Sequence, residues 1–254
     1  MSRGLGDVYK RQMTSFIYGT DKNGKTVEIT RLHGEENRIW VDMDDMSPYM
    51  PKAFVAGEDK RFYEHHGVDW VRTIGVFVKP TNFGQGGSTI TQQLIKNLTD
   101  ENQVTFIRKF NEILQALNLE RNYSKDEIIE AYLNTVYLSN GCYGVKTAAE
   151  KYFGKDIKDL NAAECASLAA ITKAPSTYDP LNDPKANKKR QEYFLEAMYK
   201  EGSISKDEYE SAKSYKLVFT NSKEYKGSKV KAKSTKKAQT VNSYYVAVSY
   251  THLR

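Results

Sequence analysis

Gly57-Glu58-Asp59-Lys60-Arg61-Phe62-Tyr63-Glu64-His65-His66-Gly67 follows an apolar run, Ala53-Phe54-Val55-Ala56, and crowds acids, bases and imidazoles around two aromatic rings before stopping at a glycine. Adjacent side chains project about 100° apart on a helix, so Glu58 and Asp59 do not share one solvated face. Glu58 closes the apolar run. Burial penalises an ionised carboxylate, and a carboxylate in such a place is a candidate for proton transfer. The plainer reading is a helix end with an ordinary ion pair from Glu58 to Lys60 or Arg61.

The surrounding chain bounds the choice. Its 254 residues suffice for one or two domains with a substantial core. A hydrophobic content of 39% and a charged content of 28% fit a soluble globular protein. The net charge of +6 and the pI of about 9.0 favour an anionic partner, without choosing among phosphate-bearing lipid, a membrane surface and nucleic acid. Cys142 and Cys165 form no Cys-x-x-Cys pair and read as small buried residues rather than a disulfide. His33, His65, His66 and His252 make no zinc pattern. No apolar run approaches the roughly 20 residues of a membrane span, and no secretory leader pattern is visible. Residues 1–12 and 248–254 resemble translated sequencing-adapter flanks and are set aside, so the chain reads as the middle of a longer protein whose membrane anchor would lie upstream.

Residues 13–50 read as strand and hairpin, with 15–18 and 26–30 flanking a turn signal at 21–24, and with 38–42 as a third short strand. Helices dominate from Pro51 through residue 221. Ser88 is placed to cap a helix over 89–98, entered through glycine-rich 84–87. Phe106, Ile107, Phe110, Ile113, Leu114 and Leu117 form one apolar stripe of a long helix. Capping boxes stand at Ser124 with Glu127, Asn161 with Glu164, and Ser205 with Glu208. Gly154 and Gly202 sit where helices should stop, and Pro184 opens a helix that runs to Lys200. The composition changes over 222–239, with seven lysines and few apolar residues, so 222–247 reads as a solvated linker.

Two further stretches could carry chemistry. In Gly86-Gly87-Ser88-Thr89-Ile90-Thr91-Gln92-Gln93-Leu94-Ile95-Lys96, glycines permit close backbone approach and a helix N-terminus attracts an anion. Hydroxyls and amides there suit sugar hydroxyls, and Lys96 lies two turns on. A capped helix with polar surface residues is the plainer reading. In Arg108-Lys109-Phe110-Asn111-Glu112, the acid is i,i+4 to Arg108 and i,i+3 to Lys109, nearly opposite the apolar stripe. This is either an exposed helical salt bridge or the charged wall of a cleft.

Together these residues resemble the peptidoglycan glycosyltransferases, glycosyltransferase family 51, the transglycosylase module of class A penicillin-binding proteins and of monofunctional transglycosylases. The family pattern Glu-Asp-x-x-Phe-x-x-His-x-Gly is matched from Glu58 to Gly67, Gly-x-Ser-Thr-Ile-Thr-Gln-Gln from Gly86 to Gln93, and Arg-Lys-x-x-Glu from Arg108 to Glu112. A fourth motif fits Ser124 to Asn134, with Tyr132-Leu133-Asn134 at its end and one extra residue, and the family order continues through Tyr143, Gly154, Pro175 and Pro180. The likeness covers roughly 15–215. The family more often has Ala-Ile before Glu-Asp, where this chain has Ala56-Gly57.

The resemblance implies a mainly α, lysozyme-like two-lobed fold with a small N-terminal β-hairpin region and a jaw lobe near the membrane. It implies polymerisation of lipid II by inverting glycosyl transfer with release of undecaprenyl pyrophosphate. Glu58 would be the general base, supported by Asp59. Lys96, Arg108 and Lys109 would neutralise the pyrophosphate, with Glu112 orienting them as the second acid or holding a divalent ion, Mg or Mn. Ser88, Thr89, Gln92 and Gln93 would line the donor site beneath a mobile loop over 79–87. The implied partners are lipid II and the growing glycan strand at the extracytoplasmic face of a bacterial plasma membrane, within a cell-wall synthesis complex and without nucleic acid. The lysine-rich linker would lead to a transpeptidase domain. A muramidase or lytic transglycosylase on the same scaffold, and a non-catalytic glycan- or lipid-binding module, are the competing readings.

Overall fold

The computed structural model describes residues 15–20, 26–32, 37–73, 87–99 and 106–227. The turn at 21–24, nearly all of the 79–87 loop, most of the 222–247 segment and both flanks lie outside the described residues. Strands β1 (Ser15–Thr20) and β2 (Thr26–Leu32) pair as a two-stranded sheet within a small unit of their own.

The larger unit is helical, and its centre follows from one sequence. Helix α6 (Ala162–Ile171, AAECASLAAI) is apolar on nearly every side and has all ten residues buried, as expected of a helix with no polar face. Its alanines let α1 (Tyr49–Glu58) and α7 (Pro184–Lys200) approach closely, and these three pack mutually. Helix α2 (Ile90–Thr99) packs against α3 (Phe106–Asn122) and α4 (Lys125–Thr135). Helix α4 also touches α1 and α5 (Val145–Phe153), while α8 (Lys206–Ser214) lies on α6 and α7. Phe54, Tyr132, Tyr152 and Phe194 are the largest fully buried aromatics besides Phe62.

The three capping boxes form as read, with side chain and backbone bonded reciprocally. Gly154 ends α5 in the left-handed region at φ 60°, where a side chain would be strained. Cys142 and Cys165 are free and buried, and burial pushes their thiols up to about 11 and about 12. Among the described residues no helix is long and apolar enough to cross a membrane.

Two expectations need correction. Helix α1 begins at Tyr49, with Pro51 inside its first turn, where a missing N–H costs no hydrogen bond. The third strand is only β3 (Asn37–Arg38), parallel to β4 (Cys142–Tyr143). The chain leaves it because α4 captures the next backbone groups. Asn134 accepts from the Val41 N–H and donates to the Val41 carbonyl, each at 2.8 Å, and Glu130 accepts from the Met43 N–H at 2.9 Å.

Candidate active site

Glu58 is the last residue of α1, and the chain breaks from the helix at Asp59, φ −153°. Three separate segments fix it. Gln93 Nε2 on α2 donates to Oε2 at 3.1 Å, and Thr172 Oγ1, just beyond α6, donates to Oε1 at 2.9 Å. Arg72 donates to the Glu58 backbone carbonyl at 2.7 Å. The orientation of Gln93 is itself imposed: Tyr132 Oη donates to its Oε1 at 2.9 Å, which turns the NH2 group toward the carboxylate. Tyr132 is fully buried, and desolvation, reinforced by the charges of Glu58 and Asp59, holds its hydroxyl well above the ordinary 10.0. It therefore stays a donor. The ion pair from Glu58 to Arg61 does not form; Arg61 instead grips Asp69 with Nε at 3.0 Å and Nη2 at 2.7 Å.

Asp59 points the other way. It has no exposed surface, and its Oδ2 accepts from the first amide of α2, Ile90 N, and bonds His65 Nε2, both at 2.9 Å. A carboxylate at a helix N-terminus is stabilised by the unpaired N–H groups and the dipole. Asp59 thus ties the end of α1 to the start of α2, behind the surface that Glu58 presents. Gly67 completes the turn. Its φ is 87°, a Cβ would lie 2.7 Å from the Ala116 carbonyl oxygen, and its own carbonyl accepts from Thr89 Oγ1 at 2.7 Å. Gly57 is needed for a different reason, since a Cβ there would run into the Phe194 ring. The departure from the family's usual residue is matched by what α7 places opposite.

The cap of α2 differs from expectation. Thr89, not Ser88, is its N-cap, in a fourth capping box: Gln92 N donates to Thr89 Oγ1 at 3.1 Å, and Thr89 N donates to Gln92 Oε1 at 3.0 Å. Thr89 and Gln92 are both buried, so two of the four groups expected along the donor site are engaged in this cap. Ser88 is left to accept from Lys109 Nζ at 2.9 Å. Thr91 braces α2 to α3 through Glu120 at 2.6 Å, and Lys125 bonds the same carboxylate at 2.8 Å.

Three residues of the apolar stripe of α3 face outward, while Ile113 and Leu117 are half-buried. Ile107, Phe110 and Leu114 are 76%, 60% and 49% exposed, whereas Glu112 is buried with Ala116 and Leu119. The polar row faces inward because its charges satisfy one another. Arg108 Nη1 donates to Glu112 Oε2 at 2.8 Å, and Lys109 Nζ donates to Glu112 Oε1. Lys109 thereby links the second acid to Ser88, little more than a turn from Gln93 and the first acid. Its side chain keeps 39% exposure, against 5% for Glu112. Lys96 is exposed on α2 one turn past Gln92 and Gln93. Both oxygens of Glu112 are occupied by cations, and among the described residues no group of three or more His, Cys, Asp or Glu could hold a metal. These two bonds fix how Arg108 and Lys109 stand relative to each other.

Of the residues singled out in the sequence, α2 brings together Glu58 with Gln93, and Ser88 with Lys109, Glu112 and Arg108. Sequence reasoning missed Thr172 and Arg72, which no spacing connects to Glu58, and it named Tyr132 only as part of a motif.

The sequence profile of the family described as Transglycosylase matches residues 23–199. Penicillin-binding protein 1A/1B of Bacillus subtilis (strain 168) is 45% identical over 208 residues, which is 80% of this chain and 22% of that protein. Penicillin-binding protein 1F of the same strain is 46% identical over 192 residues, covering 74% of this chain and 26% of the relative. Penicillin-binding protein 1A of Neisseria flavescens is 40% identical over 207 residues, 80% of this chain and 25% of its own length. The crystal structure of Penicillin-Binding Protein 1A from Haemophilus influenzae covers 82% of this chain at 26% identity, with a TM-score of 0.48, over 21% of its own length. The chain thus spans about a quarter of the length of the curated relatives it matches.

Proposed function

Because the chain belongs to the transglycosylase family, we propose that it polymerises lipid II into the glycan strands of peptidoglycan, inverting the donor anomeric carbon and releasing undecaprenyl pyrophosphate. The observation that carries this reading is a donor-clamped carboxylate, Glu58, joined through α2 to an ion-paired cationic row, Arg108 and Lys109. The acceptor's 4-hydroxyl attacks the anomeric carbon, the new C–O bond replaces the bond to pyrophosphate, and the hydroxyl proton passes to Glu58. Pyrophosphate leaves readily, so it needs compensating charge more than a proton. Lys109, with its half-exposed amine, Arg108 and Lys96 supply that charge, and Glu112 holds the first two in place. Asp59 acts through the α1–α2 junction.

The finer architecture belongs to the same proposal: a lysozyme-like two-lobed domain with its jaw at the extracytoplasmic face of a bacterial plasma membrane, acting within a cell-wall synthesis complex and followed by a transpeptidase domain. The exposed row Ile107, Phe110 and Leu114 suits a surface next to lipid. The test is to supply the chain with lipid II and, separately, with preformed glycan. Polymer from lipid II is expected, and Glu58→Gln is expected to make none while its circular dichroism matches the parent. Shortened glycan without polymer, or near-parental polymerisation by Glu58→Gln, would overturn the reading.

A further inference from the structure

The two oxygens of Glu58 meet partners of different kinds. Oε2 faces the Gln93 amide nitrogen, which only donates, and Tyr132 prevents that amide from turning over. Oε1 faces the Thr172 hydroxyl, which donates one proton and also accepts. Thr172 Oγ1 lies 2.9 Å from Glu58 Oε1 and 2.7 Å from the carbonyl oxygen of Ala169, one turn back in α6. One hydroxyl proton thus stands between two acceptors. When Glu58 is ionised, the hydroxyl donates to Oε1. When Oε1 carries a proton, the carboxyl donates to Oγ1 and the hydroxyl proton turns to Ala169. Among the described residues, only the Oε1 side has a neighbour that serves both states of the base.

We propose that Thr172 is a positioning residue for Glu58, a reversible hydrogen-bond partner that holds the carboxyl in one orientation before and after proton transfer and directs the incoming proton to Oε1. This rests on Glu58 being the base of the reaction proposed above. The balance is simple. The proton leaving the acceptor hydroxyl ends on Oε1, Thr172 exchanges one acceptor for another without gaining or losing a proton, and nothing is oxidised or reduced. Thr172 is 114 positions from Glu58 and lies outside the residues to which the sequence assigned a role.

The test measures initial rates of lipid II polymerisation by the whole chain for the parent, Thr172→Ser and Thr172→Val, with Thr172→Ala as a second hydroxyl-free variant and a melting curve for each. A hydrogen bond to a charged group typically accounts for a factor of roughly 10 to 100. Thr172→Val is expected to lose about that factor in kcat with KM within about twofold, since the interaction is with the base and not the substrate. Thr172→Ser, which keeps the hydroxyl, is expected within about threefold of the parent. Parental kcat in Thr172→Val, a loss confined to KM, or equal impairment in Thr172→Ser would each overturn the role. So would failure of both hydroxyl-free variants to fold, which would make the hydroxyl a strut of α6. A parent chain that makes no polymer would bring down the proposed function and this inference together. A polymerising parent with an indifferent Thr172→Val would bring down this inference alone.

Discussion

At the scale of single residues, neighbouring acids have unlike surroundings. Glu58 meets two neutral donors at the surface, Asp59 caps a helix in the interior, and Asp69 is paired. Burial pushes the Asp69 carboxyl up, but the Arg72 amide and the Arg61 guanidinium outweigh it and hold the group below the ordinary 3.8. A carboxyl depressed in the folded state stabilises the fold above its unfolded value and loses that contribution as pH falls through the folded value. Asp69→Asn keeps a side-chain oxygen for the Arg72 amide but removes the charge. It is expected to melt below the parent at neutral pH, with the gap closing as pH drops below about 4; a gap independent of pH from 7 to 3 would refute this. The sequence showed which carboxylates were present. It did not show which way each would point, because Glu58 and Asp59 part company only where the helix breaks between them.

At the scale of elements, local chemistry was legible and facing was not. Three capping boxes were readable because both partners lie within four residues. The cap of α2 reads one position early, at Ser88, because Ser88 and Thr89 are both good caps, and only the reciprocal bond with Gln92 separates them. Thr89→Ala is expected to lower stability by about 0.5–2 kcal/mol, as cap losses do, while Ser88→Ala leaves the melting temperature nearly unchanged and weakens the Lys109 contact. Equal melting losses in the two would place the cap wrongly. For helix α3 the sequence left an exposed salt bridge and a cleft wall both open, because spacing alone does not say which side of a helix turns inward. Here Arg108, Lys109 and Glu112 neutralise one another, so the polar side can turn in and the apolar side out.

At the scale of the molecule, a net charge of +6 said only that an anionic partner was favoured, and the family resemblance of the ordered motifs implied a lipid-linked sugar, the substrate proposed above. At the membrane surface proposed above, the exposed apolar row of α3 would add a second attraction to charge. Ile107→Ser, Phe110→Ser and Leu114→Ser combined are expected to reduce sedimentation with anionic phospholipid vesicles at moderate salt, without lowering the melting temperature, because these side chains make little of the core. Unchanged vesicle binding would assign the attraction to basic residues alone. Contacts such as Glu58 with Thr172 could not be read in advance, since no local pattern records which distant segments α6 will bring to the end of α1.

That long reach has a consequence for how the protein comes into being. The groups fixing Glu58 lie 14, 35 and 114 positions away along the chain. Helices form on local contacts in about a microsecond, but closures this distant come late in folding. A refolding chain is therefore expected to regain its circular dichroism before the Glu58 carboxylate is fixed, and a nascent chain lacks the full set of its partners until residue 172 has been synthesised and docked. On the proposed role of Glu58, the chain is silent during its own assembly, and the return of polymerisation is a clock for the completion of its fold.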